Sequence, residues 1–318
     1  MQQTIKYSID KIKGILFGTF LGDSIGSRFE RRLPDEIKPL DYRSVLGNPP
    51  RYYSDDTQMT ISVFEEMVEN GYINRKSLTS RFLNRFATWR GYSGGMLEVF
   101  EMWRRGNDLE KSAHTLYDGT GSFGNGAAMR IAPLSLFYSL DQVDLLFEQV
   151  RICSSLTHTH PFGIAGAQLQ AYTVLLALND IKPEDWMRYL LALPIDSVYK
   201  IKLNKVGFCL AKNASPGDVA KEIGNGSDAL GSVPAAICSV LKNPNSFTDT
   251  VLFAVSIGGD SDTIGAMAGS ISGALMGFDK IPQEWLINLE DDKEGKTFID
   301  TLAMMADKKR RGEDSNLR

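Results

Sequence analysis

The chain has 318 residues, 43% of them hydrophobic, and a formal net charge of −4. That length supports a substantial core, in one large domain or two ordinary ones. The mild acidity argues against a nucleic-acid binder that works by neutralising phosphates, though not against a local pocket for a phosphorylated small molecule.

The N-terminus is polar and basic. Ile5, Ile9, Ile12, Leu16 and Phe20 then recur every three or four residues, which predicts an amphipathic helix. The apolar run Ile15–Leu21, broken by Gly18 and Thr19, is too short to cross a membrane and carries no cleavage signal, so no membrane partner is expected. The segment Glu30–Tyr53 holds Pro34, Pro39, Pro49 and Pro50 and predicts a long irregular loop. Helical spacing returns over Met59–Met67, Leu78–Phe86, Met96–Trp103, Val143–Cys153, Phe162–Leu178, Trp186–Leu193, Val233–Leu241, Thr248–Ser256, Thr263–Met276 and Phe298–Met305. Period-two alternation is never sustained. The expectation is an all-α single domain over residues 1–307, divided by no Pro/Ser-rich linker, and a charged tail over 308–318. In that tail Lys308-Lys309-Arg310-Arg311 reads as a solvated helix end. Three separated cysteines (Cys153, Cys209, Cys238) form neither a CxxC pair nor a zinc spacing, which points to buried thiols in a reducing cytoplasm.

Gly14, Gly18, Gly22 and Gly26 fall every fourth residue, and so do Gly265, Gly269, Gly273 and Gly277. Glycine inside a helix costs about 1 kcal/mol relative to alanine, so such stripes need a compensating close approach. Each stripe could pack on any neighbour. If the two pack on each other, antiparallel, then Asp23–Glu30 lies beside Asp260–Thr263, and the loop after Glu30 returns the chain to Ser54–Asp56.

Those last segments are the chemistry-bearing ones. Ser54-Asp55-Asp56-Thr57 and Gly258-Gly259-Asp260-Ser261-Asp262-Thr263 each put paired carboxylates and hydroxyls at a helix start. Either motif alone reads as an ordinary N-cap, but a cap needs one oxygen and each motif supplies several. Oxygen-only donors suit magnesium, manganese or calcium rather than zinc. Other motifs fail on their own terms. An EF-hand loop from Asp260 would put Ile264 and Ile271 at ligand positions. Gly119–Gly124 matches GxGxxG without a strand before it. Gly295-Lys296-Thr297 resembles a P-loop end, yet Glu290 stands where the first glycine belongs. His158-Thr159-His160 lacks partners for zinc, and no GxSxG is present.

Gly22-Asp23 with Glu30, Ser54–Thr57, Gly124-Asn125-Gly126-Ala127-Ala128-Met129-Arg130, Thr157-His158, Val233-Pro234-Ala235-Ala236 and Gly258–Thr263 occur here in the order seen in ADP-ribosylglycohydrolases. The chain resembles that family, which includes the dinitrogen reductase-activating glycohydrolases and the ADP-ribosyl-acceptor hydrolases, from about Gly14 to Gly277. The resemblance implies a compact, mostly orthogonal bundle of α-helices and a site for two magnesium or manganese ions at an ADP-ribose cleft. By resemblance the metal ligands are Ser54, Asp55, Asp56, Asp260, Asp262 and Thr263. Serine stands at 54 where the family often has threonine, and the hydroxyl is kept.

The resemblance further implies that Glu30 is a mobile glutamate near the metals, acting as ligand, gate or base, and that Glu30 or Asp56 holds the attacking water. Gly121, Ser122, Phe123, Gly124, Asn125 and Gly126 would meet the diphosphate and its neighbouring ribose or adenine, because a glycine-rich run at a helix start offers backbone N–H groups to an anion. His158 would lie near the phosphates or distal ribose. Arg130 either contacts a phosphate or pairs with one of the carboxylates. A ring-opening route in the family needs a separate aspartate, and Arg90–Gly95 contains none. The implied reaction is hydrolysis at the anomeric carbon of an ADP-ribosylated protein or of a small molecule such as O-acetyl-ADP-ribose, by a monomer. A nucleic-acid end is a further conceivable acceptor. Members that bind ADP-ribose without turnover, or serve as immunity proteins, are the alternative; retention of every acidic position favours the enzyme.

Overall fold

The computed structural model describes residues 2–313 apart from Pro39, Asp41, Tyr42, Ser44 and residues 46–51. The described residues form helices and no strand, with one isolated β-bridge between Gly124 and Asp228. In chain order the helices are α1 (Ile9–Gly26), α2 (Asp55–Asn70), α3 (Arg75–Arg85), α4 (Gly94–Arg104), α5 (Leu109–His114), α6 (Gly126–Met129), α7 (Val143–Ser154) and α8 (Pro161–Leu178). There follow α9 (Pro183–Ala192), α10 (Ser197–Ala211), α11 (Pro216–Glu222), α12 (Ala229–Lys242), α13 (Phe247–Ser256), α14 (Ser261–Met276), α15 (Gln283–Ile287) and α16 (Lys296–Arg310). Short 3-10 turns, among them Pro34–Glu36 and Thr88–Arg90, fill several connections.

The glycine stripes pack on each other, antiparallel. A Cβ placed on Gly14, Gly18, Gly22 or Gly26 would overlap the backbone of Gly273, Gly269, Gly265 or Ser261 respectively. Reciprocal overlaps hold for Gly265, Gly269 and Gly273 against Gly22, Gly18 and Gly14. The two backbones are therefore in contact, and the dispersion energy of that contact offsets the weak helix propensity of glycine. Lys11 locks one end, its ammonium donating to the carbonyls of Ala274 and Leu275 (2.9 Å each), where a cation also suits the helix C-terminus. Gly277, expected in the stripe, instead caps α14 at φ 86° and packs against the Asp10 side chain. Around this pair pack α2, α8, α12, α13 and α16.

Helix α8 is long and apolar enough to span a bilayer, yet 72% of it is buried inside the fold. The three cysteines are free and buried.

Some expectations shift. The first helix begins at Ile9 rather than Ile5, and the Lys6 N–H ahead of it bonds to the Leu136 carbonyl (2.9 Å). The last helix runs through Arg310, three residues into the segment assigned to the tail. Lys309 donates there to the carbonyls of Val68 and Glu69, while Arg310 and Arg311 hold Asp307 (2.8 and 3.0 Å). The rest of the tail, residues 314–318, and much of the proline-rich loop lie outside the described residues. Helix α10 escaped the periodicity reading. Its buried face is Tyr199, Leu203, Val206 and Cys209, but Ile201 and Phe208 stand exposed on the other side and blur the pattern.

Candidate active site

The antiparallel pairing brings the C-terminal end of α1 to the N-terminal end of α14, where Ser261 Oγ donates to the Gly26 carbonyl (2.8 Å). Asp23 projects from α1 at this junction and is fully buried. Its carboxylate accepts from the Ser54 N–H (3.0 Å to each oxygen), the Thr57 N–H (3.1 Å) and the Thr57 hydroxyl (2.6 Å). A carboxylate at the free N–H groups of a helix start is a strong arrangement, and it fixes α2 against α1. Asp23 is a site residue that the motif reading did not assign. The available signal is that Asp23 is the sole charged residue between Lys13 and Arg28.

Two acidic helix starts therefore meet. Ser54 caps α2, accepting from the Asp56 N–H (3.2 Å) and donating to Asp56 Oδ2 (2.9 Å). Thr263 Oγ1, from α14, donates to the same oxygen (3.4 Å). Asp56 Oδ1 is buried without a partner. Asp262 accepts from the Thr263 N–H (2.9 Å), and Asp260 from the Asn125 side chain (2.6 Å). No lysine or arginine among the described residues pairs with Asp23, Asp55, Asp56, Asp260 or Asp262.

The electrostatic consequence is uniform. Burial holds Asp23 up at about 6 against its four hydrogen bonds. Burial and then the charge of Asp23 push part-exposed Asp55 up to about 8. Asp56 is raised well above the carboxylate range by burial, then by Asp23 and Asp262. Asp262 is raised likewise by burial, then by Asp260 and Asp23. A cluster that resists ionisation in the absence of counter-charge suits a hard cation. The carboxyl, hydroxyl and orphaned Asp56 oxygens are the donors such an ion takes, so the residues fit magnesium or manganese in chemistry. Among the described residues no three acidic or histidine side chains already stand in a closed coordination shell; Asp56 and Asp260 are instead held by hydrogen-bond donors.

These residues open into a cavity of about 780 Å³. Glu30, Ser54, Asp55, Asp56, Asp260, Asp262 and Thr263 line it, as do Ser122, Gly124, Asn125, Gly126 and His158. Glu30 stands exposed at the lip, paired with Arg31 (3.2 Å). Its loop is pinned to the second acidic motif by two backbone bonds, Arg31 N–H to Gly259 O (2.7 Å) and Gly259 N–H to Arg32 O (2.8 Å).

Gly121 and Phe123 do not line the cavity. Gly121 (φ 72°) packs tightly on Thr159, and Phe123 is 45% exposed beside the His160 ring (5.3 Å). The turn is braced from within: Ser122 Oγ accepts from the Gly124 N–H (3.1 Å), and Ser227 O from the Asn125 N–H (2.9 Å). Within the described residues the N–H groups of Ser122, Phe123 and Gly126 have no partner. The brace comes from Asn225-Gly226-Ser227, a cavity-lining segment that carries no recognisable motif and was missed.

Arg130 corrects an expectation. It is wholly buried and meets neither a carboxylate nor the cavity. Its guanidinium donates to the carbonyls of Gly126 and Cys153 (3.1 Å each) and to Thr157 Oγ1 (2.8 Å). The physical reason is location: Arg130 follows the short α6 and points into the α7–α8 junction. Thr157 Oγ1, which accepts from Arg130, also meets His158 Nδ1 (2.7 Å). When the hydroxyl donates to Nδ1, the ring proton sits on Nε2, which faces Gly126. Burial, then Arg130, push His158 down to about 3, so its imidazole is neutral.

The sequence profile described as ADP-ribosylglycohydrolase matches residues 2–315. ADP-ribosylhydrolase ARH3 of Xenopus tropicalis is 33% identical over 335 residues, covering 92% of this chain and 95% of that protein. The Homo sapiens ADP-ribosylhydrolase ARH3 is 32% identical over 345 residues, covering 93% of each. ADP-ribosylarginine hydrolase Tri1 of Serratia proteamaculans is 26% identical over 309 residues, covering 94% of this chain and 80% of that protein. A solved structure described as an ADP-ribosylglycohydrolase-related protein complex shares the fold with a TM-score of 0.76, over 96% of this chain and 99% of that one, at 23% identity.

Proposed function

We propose, from the premise that this chain belongs to the ADP-ribosylglycohydrolase family, that it removes ADP-ribose from an ADP-ribosylated acceptor with the help of two magnesium or manganese ions. The observation that carries the metal reading is the convergence of two acidic helix starts without a cationic partner. Ser54, Asp55, Asp56, Asp260, Asp262 and Thr263 would hold the ions. Bound there, the ions supply the positive charge that lets the carboxylates ionise and offer binding positions to ribose hydroxyls.

The remaining work falls to the chain's own groups. The unpartnered N–H groups of Ser122 and Gly126 and the Nε2 edge of neutral His158, all lining the cavity, suit the diphosphate. Phe123, exposed beside that turn, suits the nucleoside end. Glu30, open to solvent at the cavity lip, suits the role of taking a proton from water. Asp56, buried and bonded to Ser54 and Thr263, serves better to orient. The water oxygen bonds to the anomeric carbon, the bond to the acceptor breaks, and the acceptor leaves with a proton. This differs from glycosidases that flank the bond with two carboxylates alone. The buried free thiols support a reducing cytoplasm as its setting.

Calorimetry with ADP-ribose in magnesium and in EDTA tests the reading. Tighter binding with magnesium is expected, and equal binding in both would overturn the metal requirement. Release of ADP-ribose rather than AMP from substrate separates this activity from a phosphoesterase.

A further inference from the structure

Three exposed aromatic residues line the cavity, Tyr52, Trp89 and Tyr117, and the first two stand together. Trp89 is 61% exposed and Tyr52 48% exposed, and both line the wall that carries Asp55. Their placement is built rather than loose. The Arg90 guanidinium lies 3.8 Å from the Trp89 ring centroid and 3.5 Å from that of Tyr53, so it is sandwiched between them. Arg90 is itself locked by Glu290 (2.5 and 3.2 Å) and by the Tyr53 carbonyl (2.6 Å). That ion pair is almost wholly buried, with side-chain exposures of 6% and 1%. Tyr52 meets Trp89 edge-on, with centroids 5.9 Å apart. Trp89 thus rests on a buried, hydrogen-bonded platform and presents a fixed apolar surface to solvent.

The ledge adjoins the reacting end of the cavity. A Cβ on Gly91, two residues past Trp89, would stand 3.7 Å from Asp55 Oδ1. The residues suited to the diphosphate, Ser122, Gly126 and His158, come instead from the turn that opens α6 and from the α7–α8 connection. We propose that Tyr52 and Trp89 form an acceptor subsite, which takes the polypeptide flanking an ADP-ribosylated side chain. This rests on the reading of the cavity as the ADP-ribose site and adds the acceptor class to it.

Two observations select a polypeptide. Rigid Trp and Tyr rings give large contact area at small entropic cost, which suits peptide planes and apolar side chains. A small acyl group has no surface to lay across two rings.

The test compares a peptide carrying ADP-ribose on serine or arginine with O-acetyl-ADP-ribose, in the wild type, Trp89→Ala, Tyr52→Ala and Trp89→Phe. For Trp89→Ala the KM for the cleaved peptide should rise about tenfold, the loss expected for one aromatic anchor. Turnover of O-acetyl-ADP-ribose and calorimetric affinity for ADP-ribose should stay unchanged. Tyr52→Ala should show a smaller effect of the same selectivity, and Trp89→Phe should recover most of the loss. Equal losses on both substrates, no loss on the peptide, or a wild type that cleaves the ester but neither peptide would overturn the proposal. A wild type that cleaves nothing and binds no ADP-ribose would instead bring down the reading of the cavity, and the subsite with it.

Discussion

Thr263 reaches Asp56 across 207 residues of chain, hydroxyl to carboxylate at 3.4 Å. The contact joins the first turns of α14 and α2, so two helix N-termini, each with a positive end, converge on one set of carboxylates. Those helix ends moderate the repulsion within the cluster without removing it, because Asp56 and Asp262 both remain far above the carboxylate range.

Removing one charge should therefore separate stability from function. Asp262→Asn is expected to raise the melting temperature of the metal-free protein while lowering turnover about a hundredfold if the proposed metal role holds. Scanning calorimetry in EDTA and a turnover assay in magnesium measure the two effects. A variant that unfolds would assign Asp262 a structural role.

The same cluster sets a pH dependence. An aspartate in the unfolded chain titrates at about 4, whereas Asp23 and Asp55 are raised to about 6 and about 8. Within that window the folded state holds protons that the unfolded state releases. Metal-free stability is thus greatest at the acid side for these groups and falls as pH rises from about 4 towards 8. Urea unfolding across that range in EDTA should show the decline, and magnesium should flatten or reverse it.

Asp23 should matter through what it accepts. Asp23→Ala leaves the Ser54 and Thr57 N–H groups and the Thr57 hydroxyl without their acceptor, and each buried unsatisfied group costs about 1–3 kcal/mol. Relief of a buried charge offsets part of this, so a net loss of about 3 kcal/mol is expected. Asp23→Asn, which keeps one acceptor oxygen, should lose less. Denaturant melts of both variants decide the order.

The glycine ladder allows a paired test. A methyl on Gly22 would overlap the Gly265 carbonyl, so Gly22→Ala should destabilise by about 3 kcal/mol or more and reduce activity by prising the two acidic motifs apart. Gly207 in α10 has nothing within 4 Å of a Cβ position, and Gly207→Ala should stabilise by about 0.5–1 kcal/mol. Comparable effects at both positions would show that helix propensity, rather than backbone contact, governs α1.

The helical core was legible because its periodic segments and four-residue glycine spacing are local patterns. Ser54–Thr57 and Gly258–Thr263 were legible as sites because each carries more oxygen donors than a cap needs. Asp23 was hidden: one carboxylate in an apolar helix says nothing of the α2 N–H groups it serves until α1 and α2 meet. Arg130 was misread for a related reason, since its partners are mainly backbone carbonyls, which no side-chain pattern reveals. The braces from Asn225–Ser227 and from Glu290 come from distant segments and have no motif at all.

What the sequence by itself determined is the helical class, two glycine-striped helix faces that require a close neighbour, and the acidic chemistry of two helix starts. Each follows from side-chain type and spacing along one element. The tertiary structure alone decided which groups share the cavity: that Asp23 anchors α2, that Arg130 acts through Thr157 on His158, and that Glu290 steadies Arg90 beneath Trp89. These relations depend on distances between elements far apart in the chain, and burial makes them strong by removing the water that would otherwise compete for each hydrogen bond.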